Sequence, residues 1–142
     1  MDKIIIRKIQ KPDLLNFDGL CNPDNWYYPQ VSMTPQALLT HPEYMKNCFV
    51  AYHDDILVGY IYGGVLCDTL YPQFMFVKES YRKNGIGAKL LTMLEENSKC
   101  SVSIVYYNKE LSNYYCSQDY DIGTNLEVAI KQLGGETNET EI

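Results

Sequence analysis

The sequence predicts an α+β (α/β) domain, with a mixed central sheet of about six to seven strands and about four helices. Three features predict it. Up to Val77 the chain reads mainly as strands, the last three separated only by short turns. At Gly85-Ile86-Gly87-Ala88 it opens an amphipathic helix, and beyond that strand and helix patterns alternate. A chain of 142 residues suits one ordinary core, so residues 1–133 are expected to form a single domain. Residues 134–142, polar and acidic, read as a flexible tail.

Lys3 to Ile9 alternates imperfectly around Ile4, Ile6 and Ile9 and is the first expected strand. Pro12 to Leu20 reads as a short helix with Pro12 near its start and Leu14, Leu15 and Phe17 toward the core. Asn22 to Pro29 is a loop by its Asn, Asp and Pro content, yet it carries Trp26, Tyr27 and Tyr28. Thr34 is an N-cap and Pro35 a first-turn proline for a helix over Thr34 to Leu39. His41-Pro42 ends that helix, and Tyr44-Met45 adds a turn.

Cys48 to His53 and Ile56 to Leu66 are strands joined by an Asp54-Asp55 hairpin turn. Gly63-Gly64 marks a bulge, or a close approach to the backbone. Tyr71 to Val77 is the next strand, with Phe74 to Val77 as its aromatic and β-branched end. Lys78 to Asn84 is polar. The helix that follows carries Ile86, Leu90, Met93 and Leu94 on one face, at i, i+4, i+7 and i+8. Ser101 to Tyr107 is a strand, Lys109 to Ser117 a helix and Leu126 to Leu133 a final strand.

Composition excludes several classes. No apolar run approaches the length that spans a bilayer, and Ile4-Ile5-Ile6 is too short for a secretory signal core. With a net charge of −6 and only Arg7 and Arg82 as arginines, nucleic acid is a poor partner. The five cysteines are odd in number, irregularly spaced and without a CxxC pair, which points to reduced thiols, a cytoplasmic setting and no metal site. We expect a monomer or homodimer.

The glycine turn before the helix is an anion site made of backbone. Free N–H groups of a first helical turn point outward at the positive end of the dipole, which suits a phosphate or pyrophosphate. A Walker loop needs GxxxxGK, but Gly85 to Leu91 reads GIGAKLL. A dinucleotide fingerprint needs a third glycine where Leu90 stands. The run Arg82-Lys83-Asn84-Gly85-Ile86-Gly87-Ala88 instead resembles the [QR]xxGx[GA] motif of the GCN5-related N-acetyltransferases, the GNAT family. A second segment, Asn108 to Tyr120, looks like that family's N…A…(Y/F)YxxxGF stretch, with Asp119 in place of the usual glycine and Tyr120 in place of phenylalanine. With the order of elements, the resemblance covers roughly Ile56 to Leu133.

The resemblance implies a sheet splayed at a coenzyme cleft and acetyl-CoA as acyl donor. It implies pyrophosphate contacts from Arg82, Lys83, Asn84, Gly85, Ile86, Gly87 and Ala88. Main-chain groups of Met75, Phe76 and Val77 would pair with the pantetheine arm, and a bulge near Met75 or Phe76 would supply an oxyanion donor. Asn108 would touch the pantetheine, and Tyr115 would face the coenzyme sulfur as general acid. The acceptor is a small-molecule or peptide amine, with Trp26, Tyr27 and Tyr28 in the loop where acceptor-binding residues lie. Some relatives carry a glutamate midway along the strand ending at Asn108, but Ser101 to Ile104 holds no acid. Glu79 reads as a solvated charge, His53 as exposed, and Asp68, Tyr27, Tyr28 and Tyr62 remain open as bases. Direct attack needs no nucleophilic thiol, so Cys116 is expected to be a small buried residue. The expected activity is N-acetyl transfer to a primary amine; the alternative is a non-catalytic acyl-CoA-binding or sensing domain.

Overall fold

The computed structural model describes residues 3–16, 43–106, 111–122 and 128–133. Seven strands form one sheet in the order β1-β2-β3-β4-β5-β7-β6. They are β1 (Ile4–Lys8), β2 (Cys48–His53), β3 (Ile56–Leu66), β4 (Thr69–Val77), β5 (Val102–Tyr106), β6 (Asp121–Ile122) and β7 (Val128–Gln132). The α-helices among the described residues are α1 (Glu43–Lys46), α2 (Ile86–Ser98) and α3 (Ser112–Ser117). No helix among them is long and apolar enough to cross a membrane. The two-residue β6 lay below the length that a sequence pattern can reveal. The expected helix over Thr34–Leu39, the end of Pro12–Leu20 from residue 17 on, the Asn22–Pro29 loop, Asn108 and the 134–142 tail lie outside the described residues; Lys11–Asn16 is a 3-10 helix.

The first four strands are antiparallel neighbours. Alternation along β2 divides the core: Phe49 and Ala51 join one buried cluster, Cys48, Val50 and Tyr52 the other. Helix α2 covers the first cluster through Ile86, Leu90, Leu91 and Leu94, all buried. Met93, expected there, is only partly buried, while Leu91 takes a central place. Leu14 closes the second cluster, but Leu15 is 84% exposed and contributes nothing to the core. The short 3-10 turn aims only one of the two leucines inward.

Two polar clusters tie the elements together. Buried Asp13 receives both arms of Arg7 at 2.8 Å, the Gln10 N–H at 2.7 Å and the Tyr52 hydroxyl at 2.8 Å. Across the sheet, buried Glu95 of α2 accepts from Tyr120 at 2.8 Å and from Lys131 at 3.1 Å, and Tyr120 bonds Ser103 at 2.7 Å. Helix α2 is thereby held to β5, β7 and the turn after α3 by charge-assisted bonds.

Burial opposes the Asp13 charge, but Arg7, Gln10 and Tyr52 outweigh it and hold the carboxyl below its ordinary range. A carboxyl lowered on folding adds stability above its unfolded pKa of about 3.9, and that stability is lost as pH falls through the folded value. Asp13→Asn should therefore lower stability at pH 7 by about 1–3 kcal/mol. The gap between variant and wild type in urea midpoint should close in acid, below pH about 4. A gap independent of pH would mean that packing, not the charge, accounts for the loss.

Candidate active site

The cleft begins where β4 and β5 part. They pair in parallel only at Thr69–Val102 and Leu70–Ser103. Beyond that, β5 continues with β7 through Tyr106, while among the described residues the β5 side of β4 from Tyr71 to Val77 has no strand beside it. This is the splay expected from the sequence. The Lys78 N–H donates to Val58 at 2.8 Å. By antiparallel alternation Phe76 then also turns its main chain to β3, and Met75 and Val77 turn theirs into the gap. Of the three residues expected to offer backbone, Phe76 therefore offers its ring instead. It stacks on Tyr60 at 6.2 Å and lies under the Arg82 guanidinium at 5.5 Å.

A bulge lies where Gly63-Gly64 marked one. Tyr62 pairs with Phe74 but Gly63 pairs with Pro72, which leaves Gln73 as the extra residue. Pro72 has no N–H for the ladder, and Gly63 permits the close approach: a Cβ there would lie 2.7 Å from the Tyr71 carbonyl oxygen. The irregularity sits two residues before Met75.

From Val77 the chain makes a 3-10 turn over Glu79–Tyr81 and reaches α2 through Gly85. The Arg82 Nε donates to the Val77 carbonyl at 2.7 Å, closing the loop onto the end of β4. The Asn84 amide donates back to the Tyr81 and Arg82 carbonyls. Asn84 thus shapes the loop and is absent from the residues lining the cleft. Lys83 and Gly85 are both left-handed, at φ 65° and 82°. At the N-cap of α2 no side-chain cap forms, which leaves first-turn N–H groups facing the gap region.

The resulting cleft holds about 640 Å³. It brings together Met75, Phe76, Val77, Arg82, Lys83, Gly85, Ile86, Gly87, Ala88 and Tyr115. It also includes Tyr81, Leu111 and Tyr114, which the sequence reading did not single out. The helical spacing of Leu111, Tyr114 and Tyr115 at i, i+3 and i+4 was the available signal. Tyr81 bonds His53 at 2.8 Å, so that imidazole, expected to be exposed, is half-buried and engaged with the loop. Cys116, expected to be buried, is exposed because it falls on the outer side of the short α3. Neither acid nor histidine lines the cleft among the described residues.

The two departures from the second motif have structural causes. Asp119 is left-handed at φ 68°, with Tyr120 N–H donating to the Tyr115 carbonyl at 3.0 Å to close the end of α3. Glycine suits that position and aspartate tolerates it. The hydroxyl that Tyr120 adds to a phenylalanine is the one that bonds Glu95 and Ser103.

The model of an acetyltransferase (GNAT) domain matches residues 45–122, more than half the chain. The chain belongs to the GNAT family. Membership makes it an acetyltransferase domain with acetyl-CoA as acyl donor. No curated protein matches the sequence. Among solved structures it is similar to N-acetylglutamate synthase from Neisseria gonorrhoeae, complexed with coenzyme A and N-acetyl-glutamate: TM-score 0.75, 13% identity, 94% of this chain covered. The chain spans only 36% of that longer one. It is also similar to PaiA N-acetyltransferase from Thermoplasma acidophilum in complex with coenzyme A, with TM-score 0.68, 16% identity and coverage of 92% and 99% of the two chains. A third is the ribosomal-protein-S18-alanine N-acetyltransferase from Escherichia coli, with TM-score 0.67, 12% identity and coverage of 96% and 98%. At such identities these likenesses establish the fold.

A Cβ on Gly85 would meet nothing within 4 Å, so its φ of 82° is the sole obstacle to a side chain. Gly85→Ala should cost about 1–2 kcal/mol in urea unfolding with the denaturant slope unchanged. Undiminished stability would show that the loop relaxes to another conformation.

Proposed function

We propose that the domain transfers the acetyl group of acetyl-CoA to a primary amine by direct attack in a ternary complex. The observation that carries this reading is the free β5 side of β4 from Tyr71 to Val77, which leads directly to the uncapped start of α2. A pantetheine arm lies along such an edge as an added strand, with Met75 and Val77 supplying donors and acceptors. The pyrophosphate then meets the first turn of α2, where Gly87 has no side chain to obstruct it and Arg82 and Lys83 add positive charge.

The amine nitrogen forms a bond to the acetyl carbonyl carbon, and the carbon–sulfur bond breaks to release the thiolate. The nitrogen's proton passes to water, consistent with the absence of acid and histidine from the described lining. Tyr115 donates a hydrogen bond to the leaving sulfur. Burial raises its pKa above the ordinary phenol value of about 10, so it stays protonated throughout the working range. Because the leaving thiol is the stronger acid, at about 8.5, the phenol stabilises the thiolate more than it transfers a proton outright. The acceptor is a polyamine, an amino acid, an aminoglycoside-like amine or a protein N-terminus. An acceptor screen with acetyl-CoA, reading thiol release, identifies it, and release with none of them would favour a sensing role.

Gly87→Glu places bulk and negative charge in the first turn of α2. A Cβ there meets Met75 and Tyr114 only at ordinary contact distances of 3.6–3.7 Å, so the variant should fold. Calorimetric titration should show coenzyme A binding weakened more than about tenfold, or 1.4 kcal/mol. Unchanged affinity would place the pyrophosphate elsewhere.

Tyr115→Phe removes the hydroxyl and keeps the ring that meets Tyr114 and Tyr120 edge to face. The expected loss in kcat is roughly 10- to 10³-fold with acetyl-CoA affinity nearly constant. Full kcat on the true acceptor would reduce Tyr115 to a wall of the cleft.

A further inference from the structure

Among the described residues, the Tyr114 hydroxyl is a buried polar side-chain group with no hydrogen-bond partner. A buried hydroxyl left without a partner is destabilising, and native structures keep few of them. Its surroundings show what it is kept for. A Cβ placed on Gly87 would lie 3.7 Å from the Tyr114 hydroxyl and 3.6 Å from both the Sδ and Cε of Met75. The hydroxyl therefore reaches from α3 to the point where the Met75 side chain of β4 meets the first turn of α2, on the wall of the cleft. That is the path assigned above to the pantetheine arm.

We infer that Tyr114 is a coenzyme-binding residue whose hydroxyl donates a hydrogen bond to an amide carbonyl of the pantetheine arm. The assignment rests on the coenzyme site proposed above and extends it to the wall opposite β4. The arm is gripped from both sides: by main-chain groups of Met75 and Val77 on one, and by a phenol from α3 on the other. Tyr114 and Tyr115 then divide the work on one helix, the first holding the arm and the second facing the sulfur.

Burial, with smaller contributions from Tyr115 and Glu95, pushes the Tyr114 phenol up to about 12, so it remains a neutral donor at any working pH. A neutral amide oxygen suits a donor in an apolar setting, since no second charge has to be desolvated. The Met75 thioether packs at the same point and is the group the arm displaces. An unbranched side chain with several rotatable bonds yields there at little cost.

The test uses the opposite signs that the orphaned hydroxyl imposes. Tyr114→Phe should raise the melting temperature of the ligand-free protein by roughly 2–5 °C, because a buried unpaired group is removed without a change of shape. The same variant should bind coenzyme A about three- to tenfold more weakly, the range of one neutral hydrogen bond. It should bind adenosine 3′-phosphate 5′-diphosphate, which keeps the 3′-phosphate and the pyrophosphate and lacks the arm, as tightly as wild type. Unchanged coenzyme A affinity would overturn the inference, and so would an equal loss for the arm-less nucleotide. A lowered melting temperature would also overturn it, since the hydroxyl would then have a partner within the protein. Gly87→Glu, titrated beside it, separates the two levels. If Gly87→Glu abolishes coenzyme A binding and Tyr114→Phe does not weaken it, the site stands and only the role of Tyr114 falls.

Discussion

The rest of the molecule depends on one broken pairing. Strands β4 and β5 share two residue pairs and then separate, although each goes on for several residues. A strand edge inside a sheet is normally satisfied by its neighbour, and among the described residues no strand pairs with the gap-facing main chain of β4 from Tyr71 to Val77, where only the Val77 carbonyl is shown to be engaged, by Arg82. That edge is what a flexible amide-bearing chain can recognise, and no side-chain machinery is needed to create it. The Gln73 bulge bends β4 at the start of the unpaired stretch, and the Arg82 bond to Val77 fixes its end.

A sheet opened at one end must be held at the other. The Glu95 cluster does this from beneath, since its carboxylate gathers Lys131 from β7 and Tyr120 from the turn after α3 while Ser103 of β5 joins through Tyr120. Helix α2 therefore serves both halves. Its leucines cover β2 and β3, and its buried acid reaches the far strands. The Lys131 ammonium also lies 5.0 Å over the Tyr120 ring, so charge, hydrogen bonds and aromatic contact converge on a single residue.

Much of this was legible in the sequence because it depends on local pattern. The period of Ile86, Leu90 and Leu94 gave the covering helix, and the Arg82–Ala88 run gave the glycine loop at its start. What stayed illegible depends on where distant residues meet. Gly63-Gly64 signalled a bulge, but that the extra residue is Gln73 follows from Pro72 facing Gly63, a pairing between strands that one segment cannot give alone. His53 looked like a loose hairpin end until Tyr81 came beside it from 28 positions away. Cys116 turned out exposed because α3 is only six residues long, and its rotation is set by packing rather than by its own periodicity. Asp119 looked like a flaw in a motif, yet its backbone has the same handedness that a glycine would supply.

The unpaired side of β4 has a further consequence for the protein in solution. An open, apolar strand edge is the feature through which β-proteins stick to one another, and soluble chains usually blunt it with charge, proline or a cover. Here Pro72 stands at its beginning, Arg82 and Lys83 follow its end, and α3 supplies Leu111, Tyr114 and Tyr115 to the facing wall of the gap. A slender thioester chain can thread such a gap while a foreign strand with side chains on both faces meets its walls. The proposed coenzyme cleft is thus also a guarded edge. Occupancy by the donor should protect the chain from self-association, beyond the mass-action stabilisation any ligand gives.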